Sequence, residues 1–142
     1  MPTVHDVAKF ILQERGEMTA MKLHKLLYYA QAWTLVWDEN PLFPQKIEAW
    51  ANGPVVPSVY AIHRGKFAVS EWPKGNVDHL TPRQQRHIRS VLRFYGGKTA
   101  QWLSDLTHRE QPWVKARKGL APFARGNHEI TTAAMHEYYS GL

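Results

Sequence analysis

Eight histidines in 142 residues are the first side chains to weigh for chemistry, because imidazole serves both metal binding and proton transfer. No His-Glu-x-x-His occurs, and no two His stand three or four apart on one helix. With no Cys in the chain, a zinc site would have to gather His and carboxylates from distant segments, so no metal and no cofactor is expected. Ser58 follows a Pro and lacks the Gly-x-Ser-x-Gly elbow of a nucleophilic serine. Gly96-Gly97-Lys98-Thr99 contains Gly-Lys-Thr, but Leu92 stands where a phosphate-binding loop needs its first Gly. Asp105, His108 and Glu110 lie close enough in sequence for acid–base work, or for a hydrogen-bonded corner between helices. No catalytic residue is assigned, and the chain is expected not to be an enzyme.

Charge is the stronger signal. The net charge is +6, and it is uneven. Residues 1–78 hold eight Lys/Arg against eight Asp/Glu, whereas residues 79–142 hold ten against four. Arg83, Arg86, Arg89 and Arg93 fall within about a third of a helix circumference. Such a stripe suits phosphates or an acidic protein surface, and it equally suits a solvated helix face. No aromatic residue interleaves it, which disfavours single-strand binding by stacking.

The elements that carry these residues read as mostly helical. Thr3 and Asp6 are spaced as a capping box, and Val4, Val7, Ala8, Ile11 and Leu12 recur at helical spacing until Gly16. Thr19 opens the central helix, Ala20 to Asp38, with Leu23, Leu26, Leu27, Ala30, Trp33 and Trp37 on one stripe. Tyr28 and Leu35, beside His24 and Gln31, lie on a different face, so Tyr28 and Gln31 either pack a second layer or meet a partner. Ile47 to Ala51 alternates as a short strand, Asn52-Gly53-Pro54 is a turn, and Pro57 opens a helix to about Arg64. Residues 65–79 read as a loop with at most one short strand. Thr81-Pro82-Arg83-Gln84 is a capping box with Pro at the first helical position, starting a helix to Tyr95. Three shorter helices follow, from Thr99 with Trp102, Leu103 and Leu106 inward, from about Pro112, and from Thr131, with a loop at 119–129. The expected fold is mostly α, about six helices around a central amphipathic helix, with at most one short strand pair, in one domain spanning 1–142. No apolar run reaches membrane-spanning length and no secretory leader opens the chain, so a soluble, cytoplasmic protein is expected.

Three ordered motifs then become recognisable. Met21-Lys22-Leu23-His24-Lys25-Leu26-Leu27-Tyr28-Tyr29-Ala30-Gln31-Ala32-Trp33 resembles the opening helix of the Panacea domain. Ile47-Glu48-Ala49-Trp50 and Gly53-Pro54-Val55-Val56-Pro57-Ser58-Val59-Tyr60 resemble its second signature, and Leu106-Thr107-His108-Arg109-Glu110-Gln111-Pro112-Trp113 its third. The resemblance spans about residues 20–118. It implies a helical, non-catalytic antitoxin of a bacterial or phage toxin–antitoxin pair. The family has also been catalogued as phage-associated GepA-like proteins. In its SocA-type branch such a protein is a proteolytic adaptor that delivers its toxin to the ClpXP protease, and other members are thought to bind their toxins directly. At this length the extra domain that family members often carry is not expected. The expected partner is a cognate toxin, acidic at the contact, met by Tyr28, Gln31, Trp50, Tyr60, Arg83, Arg86, Arg89 and Arg93. The alternative is a nucleic-acid-associated phage or regulatory protein using the arginine face.

Overall fold

Helix boundaries fall where side chains satisfy free backbone donors. In the computed structural model, which describes residues 1–142, α1 runs Val4–Arg15. Thr3 accepts from the Asp6 N–H while Asp6 accepts from the Thr3 N–H, the expected capping box. Gly16, at φ 77°, ends the helix. Thr19 caps α2, Ala20–Asp38, by accepting from the Lys22 N–H at 3.1 Å.

The chain continues through β2 (Ile47–Trp50), β3 (Gly53–Val55) and α3 (Pro57–His63). Two-residue strands β1 (Met18–Thr19) and β4 (Ala68–Val69) pair antiparallel, Met18 opposite Val69. After a 3-10 turn at Val77–His79 come α4 (Pro82–Tyr95), α5 (Ala100–Thr107), α6 (Gln111–Ala116), β5 (Glu129–Ile130) and α7 (Thr132–Ser140). The second sheet has the order β3-β2-β5, all antiparallel, with Ile47 opposite Ile130 and Glu48 opposite Val55 and Glu129. The mostly α architecture is the expected one, with seven α-helices and two small sheets where one strand pair was foreseen.

Helix α2 is the axis of the core. It packs against α1, α4, α5 and α7 and against β3. Every residue from Leu23 to Ala32 is buried, so α2 is enclosed nearly all round instead of being amphipathic. This decides the two side chains left open by the sequence. Tyr28 and Gln31 are 0% and 1% exposed, and neither can reach a partner. The Tyr28 hydroxyl shares a hydrogen bond with that of Tyr139 on α7, at 2.9 Å. The Gln31 side-chain oxygen accepts from the N–H groups of Leu42 and Phe43, and its amide donates to the Phe43 carbonyl. It therefore pins the irregular chain after Asn40-Pro41 as a strand partner would. Two aromatic assignments also change: Trp37 is 40% and Trp102 38% exposed, the latter covered by the Lys98 ammonium 4.8 Å above its ring.

Segment 65–80 is tied to α1 despite its loop composition. The buried Asp6 carboxylate accepts from the Asn76 N–H at 2.7 Å and approaches the His79 ring at 3.3 Å. Burial alone would raise its pKa, but the donors from Asn76, Thr3 and His79 outweigh that and hold it below the ordinary value.

Candidate functional site

Beside the N-terminal end of α2 lies an open cleft of about 770 Å³. It is lined by Met21 and His24 of α2, by Trp50, Val55 and Tyr60, and by Arg125, Gly126 and Asn127 of the 119–128 loop. That loop runs beside β2, where the His128 carbonyl accepts from the Ala49 N–H. Residues from the first two sequence motifs thus meet here, and the third supports them from behind.

The aromatic wall is fixed by short-range packing. Trp50 and Tyr60 stand edge to face with centroids 5.0 Å apart, and Tyr60 meets His63 in the same way at 5.3 Å. The Arg64 guanidinium sits 5.6 Å from the Tyr60 ring centre. The Trp50 indole N–H donates to Glu48 at 2.9 Å, and its carbonyl accepts from the Trp113 indole at 2.9 Å.

Beneath this wall two histidines determine each other's protons. The Val56 N–H donates to His24 Nδ1, so the neutral His24 ring carries its hydrogen on Nε2. That hydrogen points at His63 Nε2, 2.7 Å away, which leaves the His63 proton on a buried Nδ1 with no acceptor. Protonating His24 would set two donors against one another. Burial, then the neighbouring His63 and Lys25, hold its pKa down to about 3; burial also lowers that of His63. The same tautomer occupies the His24 nitrogen a metal would need, and nowhere do three His, Asp or Glu side chains gather at metal-binding spacing.

A buried lysine lies under the β2–β3 turn. Lys25 is 0% exposed, its Nζ has no partner, and burial lowers its pKa to about 8. Gly53, at φ 125°, makes this possible: a Cβ there would lie 2.6 Å from Lys25 Cε. Ser104 of α5 holds the turn by donating to the Asn52 carbonyl at 2.9 Å.

The loop that contributes Arg125, Gly126 and Asn127 hangs on Arg117. Its guanidinium lies 5.2 Å from the Trp113 ring centre and donates to the carbonyls of Ala49, Ala121 and Ala124 at 3.0, 3.3 and 2.6 Å. One buried side chain thereby fastens the loop to β2.

Of the residues proposed from sequence, Trp50 and Tyr60 line the cleft together. Arg83, Arg86, Arg89 and Arg93 are exposed on α4, and none of them lines it. Arg83 is bound to Asp38 of α2 at 2.8 Å and Arg89 to Glu14 of α1 at 2.6 Å. Arg93 donates to Ser90 on its own helix. Half the stripe is thus internally paired.

Asp105, His108 and Glu110 do not converge. Asp105 is exposed and accepts from Gln101, while His108 stacks on Trp113 at 4.1 Å. Glu110 turns inward to accept from the hydroxyls of Tyr29 at 2.6 Å and Tyr139 at 2.7 Å. Burial raises the Glu110 pKa, with the two hydroxyls opposing. The sequence reading missed His63, Lys25 and Arg125 as parts of one region. Only the placing of polar His24 on the second face of α2 hinted at it.

These features define a mostly helical domain built on one enclosed helix, with a cleft lined by aromatic side chains and one arginine beside that helix's N-terminus. A family model described as "Antitoxin SocA-like, Panacea domain" matches residues 23–114, and the chain belongs to that family. The matched span takes in α2, the β2–β3 hairpin, α3 and the start of α6. No curated protein and no solved structure matches the chain significantly. Membership carries an antitoxin-family role and suggests a toxin as partner.

Proposed function

We propose that this protein neutralises a cognate toxin of a bacterial or phage toxin–antitoxin pair by binding it directly, without catalysis. The family match over residues 23–114 carries the reading. The cleft supports it, since Trp50 and Tyr60 present aromatic surface of the kind that anchors protein interfaces. Delivery of the bound toxin to ClpXP is the further step the SocA-type relationship suggests. The nucleic-acid alternative gains nothing from α4, where Asp38 and Glu14 already engage two of the four arginines.

The deciding experiment co-expresses the chain with its neighbouring open reading frame and follows growth and the neighbour's protein level. Growth restored with the toxin present and co-purifying is the expected result. Growth restored as the toxin disappears, in a manner lost without the protease, marks an adaptor. A neighbour harmless on its own removes the reading.

A further inference from the structure

We infer that, within the antitoxin role proposed above, the cleft beside the α2 N-terminus seats an extended acidic segment of the toxin that also carries an aromatic or aliphatic side chain. The lining demands mixed chemistry of whatever occupies it. Met21, Trp50, Val55 and Tyr60 offer apolar surface, and Arg125 adds one cation from the loop.

Carboxylates stand only at the ends of the stretch that carries Arg125: Glu110 is bound by the hydroxyls of Tyr29 and Tyr139, and Glu129 lies 4.0 Å from the Lys46 ammonium. From Gln111 to His128 there is no carboxylate, while Lys115, Lys118 and Arg125 are exposed. Arg117, the fourth cation of the stretch, is spent on backbone carbonyls. None of the chain's ion pairs involves Arg125. Glu48 of β2, which is not part of the lining, has an oxygen occupied by the Trp50 indole.

Exposed aromatics extend the apolar character beyond the cleft itself. Phe123, two residues before Arg125, is 91% exposed. Phe67 is 82% exposed, and its carbonyl accepts from the Ala20 N–H, next to Met21. A cleft of about 770 Å³ falls within the usual range of about 300–1,000 Å³ for binding sites. A nucleic-acid strand is disfavoured because it would need cations along the groove, and Arg125 is the one Lys or Arg that lines it.

The test uses the full chain and fluorescence anisotropy. The probes are short fluorescein-labelled peptides alternating Asp or Glu with Phe or Leu, and matched peptides with Lys in place of the acids. The acidic peptides are expected to bind about tenfold more tightly than the basic ones. Arg125→Glu should reverse that preference, Arg125→Lys should keep it, and Tyr60→Ala should weaken binding about tenfold. Arg83→Glu, on α4 and outside the cleft's lining, should leave it unchanged. Equal affinity for both peptide sets, or acidic-peptide binding that survives Arg125→Glu, overturns the proposal. So does tighter binding of labelled oligouridine that Arg125→Glu releases, or a dimer in sedimentation that Arg125→Glu dissolves. In the growth assay, a wild-type chain that fails to rescue sinks the antitoxin reading itself. Rescue retained by Arg125→Glu leaves that reading standing and overturns the cleft as the toxin's seat.

Discussion

The chain has two basic regions, and their arginines are spent differently. On α4 the tertiary fold supplies acids: Asp38 from α2 meets Arg83 and His87, and Glu14 from α1 meets Arg89. The α4 charges therefore help fasten one helix to its neighbours. Around the 119–128 loop the fold supplies carbonyls to Arg117 and no acid to Arg125, so that charge stays available to a partner. A helical run of arginines in sequence looks like the stronger binding signal. What matters is the potential left after neighbouring elements have answered it.

The largest way to break this contrast is to detach the loop. Arg117→Ala removes three hydrogen bonds to carbonyls and leaves a gap over Trp113, and it should cost about 3 kcal/mol. Urea denaturation should show the midpoint falling with little change in slope, and the acidic-peptide affinity should fall with it. An unchanged midpoint would mean that the loop holds itself.

Acid separates the two regions next. His24 has a native pKa lowered to about 3 from an ordinary 6.5, so below 6.5 the unfolded chain binds a proton that the native chain refuses. Its contribution is complete above pH 6.5 and shrinks as the pH falls toward 3, by roughly 2 kcal/mol at pH 5 from the 1.36 kcal/mol that each unit carries. Asp38 moves later. Burial raises its pKa, but the bonds from His87 and Arg83 prevail and lower it, so its tether is lost only below the ordinary carboxylate value. His24→Asn keeps an acceptor for Val56 and removes the titration, so stability measured at pH 5 and 7.5 should differ less in the variant. An equal difference would place the acid sensitivity elsewhere.

The smallest effect on stability, about 1 kcal/mol, is expected for Asp38→Asn, because its Arg83 partner is exposed and the half-buried His87 can still hydrogen-bond the amide oxygen. Its electrostatic effect should be larger. With Arg83 released, retention on a heparin column should shift to higher salt, whereas Lys118→Ala should move it lower. Unaltered elution of Asp38→Asn would mean that the α4 charges are not masked by their partners.

Much of the helical frame was legible because its signals are local. The capping boxes at Thr3 and Thr81, and the caps at Thr19, Thr99 and Thr131, each bond within three residues. The alternation of Ile47 and Ala49 with Glu48 and Trp50 also predicts the observed buried and half-buried faces of β2. Strands β1 and β5 were not legible, and β4 was legible only as the one short strand allowed within residues 65–79. Two residues carry no period, and their pairing depends on partners far along the chain. The candidate site divides in the same way. Trp50 and Tyr60 stood out as motif aromatics beside stiffening prolines. The pairing of His24 with His63, and the placing of Arg125 in the same cleft as Trp50 and Tyr60, exist only once α2, α3 and the loop have been assembled. Tyr28 and Gln31 were legible as exceptions to the main stripe, and it took the packing of α7 and residues 42–43 to give each its place.

Lys25 has a kinetic consequence. A primary amine held near pKa 8 is largely unprotonated in mildly alkaline solution, yet it lies where no reagent can touch it. Acylation of this one nitrogen must wait until the β2–β3 turn lifts and Gly53 moves off it. Its labelling rate, read by mass spectrometry against the fast exposed lysines, is therefore a clock for the breathing of the cleft's aromatic wall. An occupant bridging the cleft should slow that clock.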